Sequence, residues 1–120
     1  MKLFDANMIL RYLLNDNEEM ASEAETLILE GSVYVTIEVM AEVVYVLKGV
    51  YSVKRDKIKT SLLEFLSEVQ SNDMEVLKYG LETYAEEKLD FVDCILYAYN
   101  KVKGYEIKTF DKKLRHLLNQ

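Results

Sequence analysis

The side chains of this sequence best suited to chemistry are carboxylates that follow short predicted strands. Asp5 comes directly after residues 2–4, and Asp111 directly after residues 105–110. Ligands of open α/β sheets bind beyond the carboxyl ends of the strands, so both carboxylates are candidates for a functional site. Each could instead be a helix N-cap, a role worth about 1 kcal/mol.

Three further carboxylates have unusual positions. Asp90 and Asp93 lie three residues apart at a predicted helix start, a spacing that puts both on one face near the N-terminus and that also fits a capping box. Glu42 lies in the predicted helix 37–48 among aliphatic residues that leave almost no polar face. A buried, unpaired carboxylate would cost several kcal/mol or take up a proton, so we expect a base or a cation beside it.

Convergence of Asp5, Glu42, Asp93 and Asp111 would form an oxygen-only cluster, which suits Mg²⁺ or Mn²⁺ rather than zinc. Such an ion polarises a phosphoryl oxygen and lowers the pKa of an attacking water, and a second ion stabilises the leaving oxygen. The expected chemistry is phosphodiester hydrolysis, with no nucleophile required from the protein.

The elements that must position these residues alternate between helices and short strands. Strands are predicted at 2–4, 33–35, 74–77 and 105–110, and helices at 6–14, 18–30, 37–48, 54–70, 79–89, 93–103 and 112–118. Thr36 is a predicted N-cap, and Gly31 and Gly104 are predicted to end helices. Short strands separated by helices need crossover connections, so we expect a three-layer α/β/α fold with a mainly parallel sheet.

Composition limits the alternatives. A chain of 120 residues that is 50% hydrophobic fits one domain spanning residues 1–120. The net charge of −6 disfavours binding of nucleic acid or an anionic membrane over the whole surface. Two basic segments, 48–59 and 101–115, run against this balance and are either solvated helix faces or a substrate track.

Other features point to a reducing cytoplasm and no membrane span. The single Cys94 has no partner for an intramolecular disulfide, and no signal-like stretch precedes residues 2–4. Cys94 and His116 are weak candidates for a nucleophile and base, because Cys94 falls on an apolar helical face and His116 lies near the end of the chain without a partner.

Four segments together resemble the PIN-domain ribonucleases, and within that family the VapC-type toxins of toxin-antitoxin pairs. They are LFDANMILRYL at 3–13, VMAEVVYVL at 39–47, LDFVDCIL at 89–96 and TFDKKL at 109–114. Each segment alone is a weak signal, but all four occur in the family's order and spacing along the whole chain.

The resemblance implies a metal-dependent endoribonuclease of the PIN fold, with a short sheet of four to five strands and Mg²⁺ or Mn²⁺ as cofactor. The residues that match the family's acidic quartet are Asp5, Glu42, Asp93 and Asp111. Asn7 and Thr109 match polar residues that orient the acidic site, and Asp90 is an accessory ligand or a cap. Our candidates for RNA binding are Lys54, Arg55, Lys112 and Lys113.

The resemblance also implies partners: an RNA substrate, a cognate antitoxin and a second copy in a homodimer. The alternative is a PIN-like module that binds RNA or protein without cleaving, although no quartet position carries a neutral residue. A receiver-type phosphoacceptor domain is disfavoured, because it needs adjacent acids after the first strand and an aspartate where Thr36 stands.

Overall fold

The computed structural model describes residues 1–120, which form seven helices and two short strands. In chain order these are β1 (Lys2–Leu3), α1 (Ala6–Leu14), α2 (Glu18–Glu30), β2 (Val33–Tyr34), α3 (Ile37–Gly49), α4 (Arg55–Leu66), α5 (Met74–Glu86), α6 (Phe91–Lys103) and α7 (Lys112–Leu118). None of the helices is long and apolar enough to span a lipid bilayer.

Several helix boundaries lie where the local sequence predicts them. Thr36 Oγ1 accepts a hydrogen bond from the N–H of Val39 at 3.2 Å and caps α3. Helix α2 ends at Gly31, with φ of 88°, and α6 ends at Gly104, with φ of 71°. Because glycine has no Cβ, it adopts positive φ without strain. These three predictions are confirmed.

The sheet is smaller than predicted. β1 and β2 are parallel, with Lys2 opposite Val33 and Leu3 opposite Tyr34. Beyond β2, a single parallel bridge joins Tyr34 to Gln70. The protein is therefore mostly helical with a two-stranded parallel sheet, and the expected four to five strands in a three-layer arrangement are not seen.

Two strand predictions are wrong. Residues 74–77 form the first turn of α5, because a short apolar run fits a buried helix as well as a strand, and Val76 and Leu77 face the core. Residues 105–110 are irregular, and the N–H groups of 106–110 donate to no backbone carbonyl. With β1 only two residues long, the sheet offers few positions for a further strand.

One contiguous core joins the helices to the sheet. It contains 27 buried residues, among them Cys94, so the prediction that this thiol is a packing residue is confirmed. Helices α5 and α6 approach closely at Gly80, where an added Cβ would lie 2.7 Å from Cδ1 of Ile95. This packing fixes the N-terminal end of α6, which carries Asp90 and Asp93.

Candidate functional site

An open depression forms where the N-terminus of α6 meets the N-terminus of α7. Its lining residues are Lys88, Leu89, Asp90, Asp93, Phe110, Asp111, Lys112 and Lys113. We call it the acidic depression, although its three lysines equal its three aspartates in number. The sequence patterns do not predict Lys88 and Phe110 as site residues, and their nearness in sequence to Asp90 and Asp111 is the only signal for them.

The three aspartates of the acidic depression interact electrostatically. Burial raises the pKa of Asp93 above its usual value, and the negative charges of Asp111 and Asp90 raise it further. None of the three carboxylates takes part in an ion pair. The three carboxylates therefore lie near one another without an ion-pair contact to the three lysines.

The capping alternative holds for two of the predicted carboxylates and fails for a third. Asp5 Oδ1 accepts from the N–H of Met8 at 2.9 Å, and Asp111 Oδ1 accepts from the N–H of Leu114 at 2.8 Å. Asp90 has the extended backbone of an N-cap, but its side chain makes no capping hydrogen bond. The predicted capping box at α6 is therefore wrong, and the Asp90 carboxylate is free for another role.

Thr109 holds the backbone beside Asp111. Its Oγ1 accepts the N–H of Asp111 at 3.0 Å, and its carbonyl accepts a hydrogen bond from Nη2 of Arg115 at 2.7 Å. Asn7, the other predicted positioning residue, is exposed in the first turn of α1, and its side chain makes no hydrogen bond within the chain. Thr109 thus has contacts suited to orienting the site.

Glu42 and Asp5 do not line the acidic depression. The expectation that Glu42 is buried is wrong: it lies on an exposed face of α3 with Glu38, Tyr45 and Gly49. Tyr45, which counts as apolar in the sequence, is 77% exposed and belongs to this outer face. No group of three or more acidic, histidine or cysteine side chains has the geometry of a metal site. The four-residue cluster stays a prediction.

Arg55 lies inside the fold. Its Nη1 donates to the carbonyls of Tyr84, Glu87 and Leu89 at 2.9, 2.9 and 2.8 Å. Its guanidinium also lies 4.0 Å from the centre of the Tyr84 ring. These contacts hold the segment that precedes Asp90, which is a structural role unlike the RNA contact predicted for Arg55. Partners 29 to 34 residues away leave no local sequence signal.

The other predicted RNA-binding residues are on the surface. Lys112 and Lys113 line the acidic depression, at the first two positions of α7. Lys54 is exposed at the N-cap position of α4, where it makes no capping hydrogen bond. Two of the four candidates therefore lie beside the aspartates.

A mostly helical protein with a small parallel sheet and carboxylates at two neighbouring helix N-termini is consistent with an α/β domain. The PIN domain family model matches residues 2–118, nearly the whole chain, and the chain therefore belongs to the PIN domain family. PIN domains are typically metal-dependent nucleases. No curated protein and no solved structure gives a significant match to the chain.

The donor chemistry of the aspartates in the acidic depression suits a divalent cation of the kind that PIN nucleases use. They supply only carboxylate oxygens, the donors that Mg²⁺ and Mn²⁺ prefer. A cation beside Asp93 would offset both the burial and the repulsion that raise the pKa of Asp93, and the Asp90 side chain makes no capping hydrogen bond. The chemistry of the donors therefore agrees with the family.

Proposed function

We propose that this protein is a Mg²⁺- or Mn²⁺-dependent endoribonuclease that hydrolyses phosphodiester bonds of RNA. The observation that carries the proposal is the placement of Asp90, Asp93 and Asp111 around one depression that lysines also line. Carboxylates supply the ligands of a cation, and lysines attract the phosphates of a substrate. Side chains of both kinds line one depression, and this supports the proposal.

Asp93 and Asp111 would hold the ion, together with Asp5 and Glu42 of the quartet that the family resemblance implies. The bound ion supplies Lewis-acid polarisation of the phosphoryl oxygen and lowers the pKa of water. The chain itself binds and orients. Lys112 and Lys113 would contact phosphates. The hydrogen bond from Asp111 N–H to Thr109 Oγ1 fixes the backbone that carries the Asp111 carboxylate.

A second function, RNA or protein binding without cleavage, is favoured by two observations. Asp5 and Asp111 each use a carboxylate oxygen in a helix cap. In addition, no three acidic side chains have the geometry of a metal site. Cleavage measured under controlled metal concentrations separates the two functions.

Purified protein should cleave single-stranded RNA with Mg²⁺ or Mn²⁺ and not in excess chelator. Asp93→Asn should lower the cleavage rate by roughly 100-fold or more, because it removes a charged ligand. The matched control is Glu23→Gln, an exposed acid on α2 with no ion pair, and it should cleave like the wild type. Undiminished cleavage in chelator would exclude the metal-dependent mechanism.

We further propose that the enzyme is the toxin of a VapBC-type pair that acts in the cytoplasm as a homodimer. The proposal rests on the four resembling segments. Expression should arrest growth, and co-expression of a short neighbouring gene with a DNA-binding N-terminus should relieve the arrest. Sedimentation of the purified chain should give the mass of a dimer. Growth that continues despite RNA cleavage in vitro would count against the toxin role.

A further inference from the structure

Phe110 is the most exposed large apolar side chain of the protein, with 97% of its surface accessible. Isolated exposed apolar residues are common and need no explanation by themselves. The position of Phe110 is what distinguishes it, because this residue lines the acidic depression directly before Asp111. An aromatic ring thus stands in solvent at the edge of the proposed catalytic site.

The backbone on the C-terminal side of Phe110 is held in place. The N–H of Asp111 donates to Thr109 Oγ1, which closes a turn around Phe110, and Arg115 donates to the Thr109 carbonyl. Asp111 then caps α7 through the N–H of Leu114. The ring therefore projects from an anchored turn. Because the turn is already ordered, packing of a flat ligand against the ring costs little further conformational entropy.

The surroundings of Phe110 are charged. Apart from Phe110 itself, the only hydrophobic residue of the depression is Leu89, which is buried, whereas Lys112 and Lys113 lie beside the ring in sequence. A protein partner that buried Phe110 would also have to bury these charges. Single-stranded RNA matches both features, because an unpaired base can stack on the ring and the neighbouring phosphates can bind the lysines.

We propose that Phe110 is a stacking platform for a base of single-stranded RNA next to the phosphate that the acidic depression cleaves. The inference rests on the proposed function, which it deepens by assigning a specificity-determining residue. Stacking on an exposed ring requires an unpaired base, so Phe110 selects single strands and loops over duplex RNA. Lys112 and Lys113 would hold the phosphates on either side of the stacked base.

A tryptophan at this position reports stacking directly, because the chain contains no tryptophan. Phe110→Trp combined with Asp93→Asn would be titrated with a single-stranded RNA of about ten mixed-sequence nucleotides. We expect the tryptophan emission to be quenched by this RNA. The same strand with abasic sites, and the corresponding duplex, should quench much less.

Affinity measurements test the contribution of the ring in the Asp93→Asn background. Phe110→Ala and Phe110→Leu should each weaken binding of the single strand by roughly 5- to 100-fold, the usual loss for one base stacked on an aromatic ring. Phe110→Tyr should bind like the parent protein, because it keeps the aromatic face. The matched control is Leu29→Ala on α2, which removes a side chain that is 79% exposed and does not line the acidic depression.

The outcomes separate this inference from the proposed function. Wild-type cleavage that Phe110→Ala leaves unchanged, with no quenching in the tryptophan variant, would overturn the stacking role alone. Base-dependent quenching without any cleavage by the wild type would support stacking and refute the nuclease. Neither binding nor cleavage would refute both. Emission that shifts to the blue with protein concentration, without RNA, would show that a second copy covers the ring and would also overturn the inference.

Discussion

Basic residues from two segments that look alike in the sequence have opposite environments in the structure. The guanidinium of Arg55, from the segment 48–59, is bonded to three backbone carbonyls and lies over an aromatic ring. Lys112 and Lys113, from the segment 101–115, stand in the acidic depression and form no ion pair. Arg55 has its charge satisfied inside the fold, whereas Lys112 and Lys113 leave their charges available.

The difference shows how stability and function are divided in this protein. Arg55 stabilises the segment that leads into Asp90, so it affects the site only by fixing the backbone before Asp90. In the acidic depression, burial and the charges of Asp111 and Asp90 raise the pKa of Asp93, so the ionised form of Asp93 is disfavoured in the folded state. Substitution of Arg55 should therefore lower the stability of the protein, and neutralisation of Asp93 in the acidic depression should raise it.

The largest expected effect is that of Arg55→Ala on stability. It removes a charged donor from three carbonyls and the contact with Tyr84, so the free energy of unfolding should fall by about 3 kcal/mol. Urea unfolding followed by circular dichroism measures the change. Lys54→Ala, at the exposed neighbouring position, is the control and should stay within about 0.5 kcal/mol of the wild type. An equal, small effect of both substitutions would mean that the internal contacts of Arg55 do not stabilise the fold.

Much of the helical framework could be predicted because its signals are local. Thr36 caps a helix through the residue three positions on, and Gly31 and Gly104 end helices through their own backbone conformations. These signals lie within one turn of the residues that they affect. The predicted boundaries consequently agree with the structure to within a few residues, except where a short apolar run allowed either a helix or a strand.

The site could be predicted only in part, because its partners are distant in sequence. Asp93 is predicted from its position at a helix start and Asp111 from its position after a predicted strand that the structure does not contain, and both line one depression. The internal role of Arg55 depends on carbonyls about 30 residues away, and the exposure of Glu42 depends on which face of α3 packs inward. Neither can be read from neighbouring residues. Tertiary packing decides both.

An intermediate effect is expected on RNA binding, where the two basic regions should differ again. Lys112→Glu should weaken binding by roughly 10-fold and lower the slope of log affinity against log salt by about one, because one phosphate contact is lost. Lys54→Glu should change both quantities less, since Lys54 lies outside the acidic depression. Filter binding over a series of salt concentrations measures both. Equal losses would instead mean that the segment 48–59 also contributes to the RNA track.

The smallest expected effect is a gain in stability from Asp93→Asn. The folded state raises the pKa of Asp93, so it binds the proton more tightly than the unfolded chain does. Stability from this group is therefore present below the usual pKa of 3.8 and is lost as pH rises through the raised value. At neutral pH the asparagine variant should melt a few degrees higher than the wild type, and the difference should shrink as pH is lowered toward 3.8.

Mg²⁺ should raise the melting temperature of the wild type in the same direction and that of Asp93→Asn by less, because a cation bound to the native state relieves the same repulsion. Glu23→Gln, remote from the depression, should follow the wild type in both respects. The helix dipole at the start of α6 favours a negative charge at Asp93 and opposes the gain. A lower melting temperature for Asp93→Asn at neutral pH would mean that this favourable interaction outweighs burial and repulsion. The charge of Asp93 would then stabilise the protein, as Arg55 does, and the contrast in stability between Arg55 and the acidic depression would be lost.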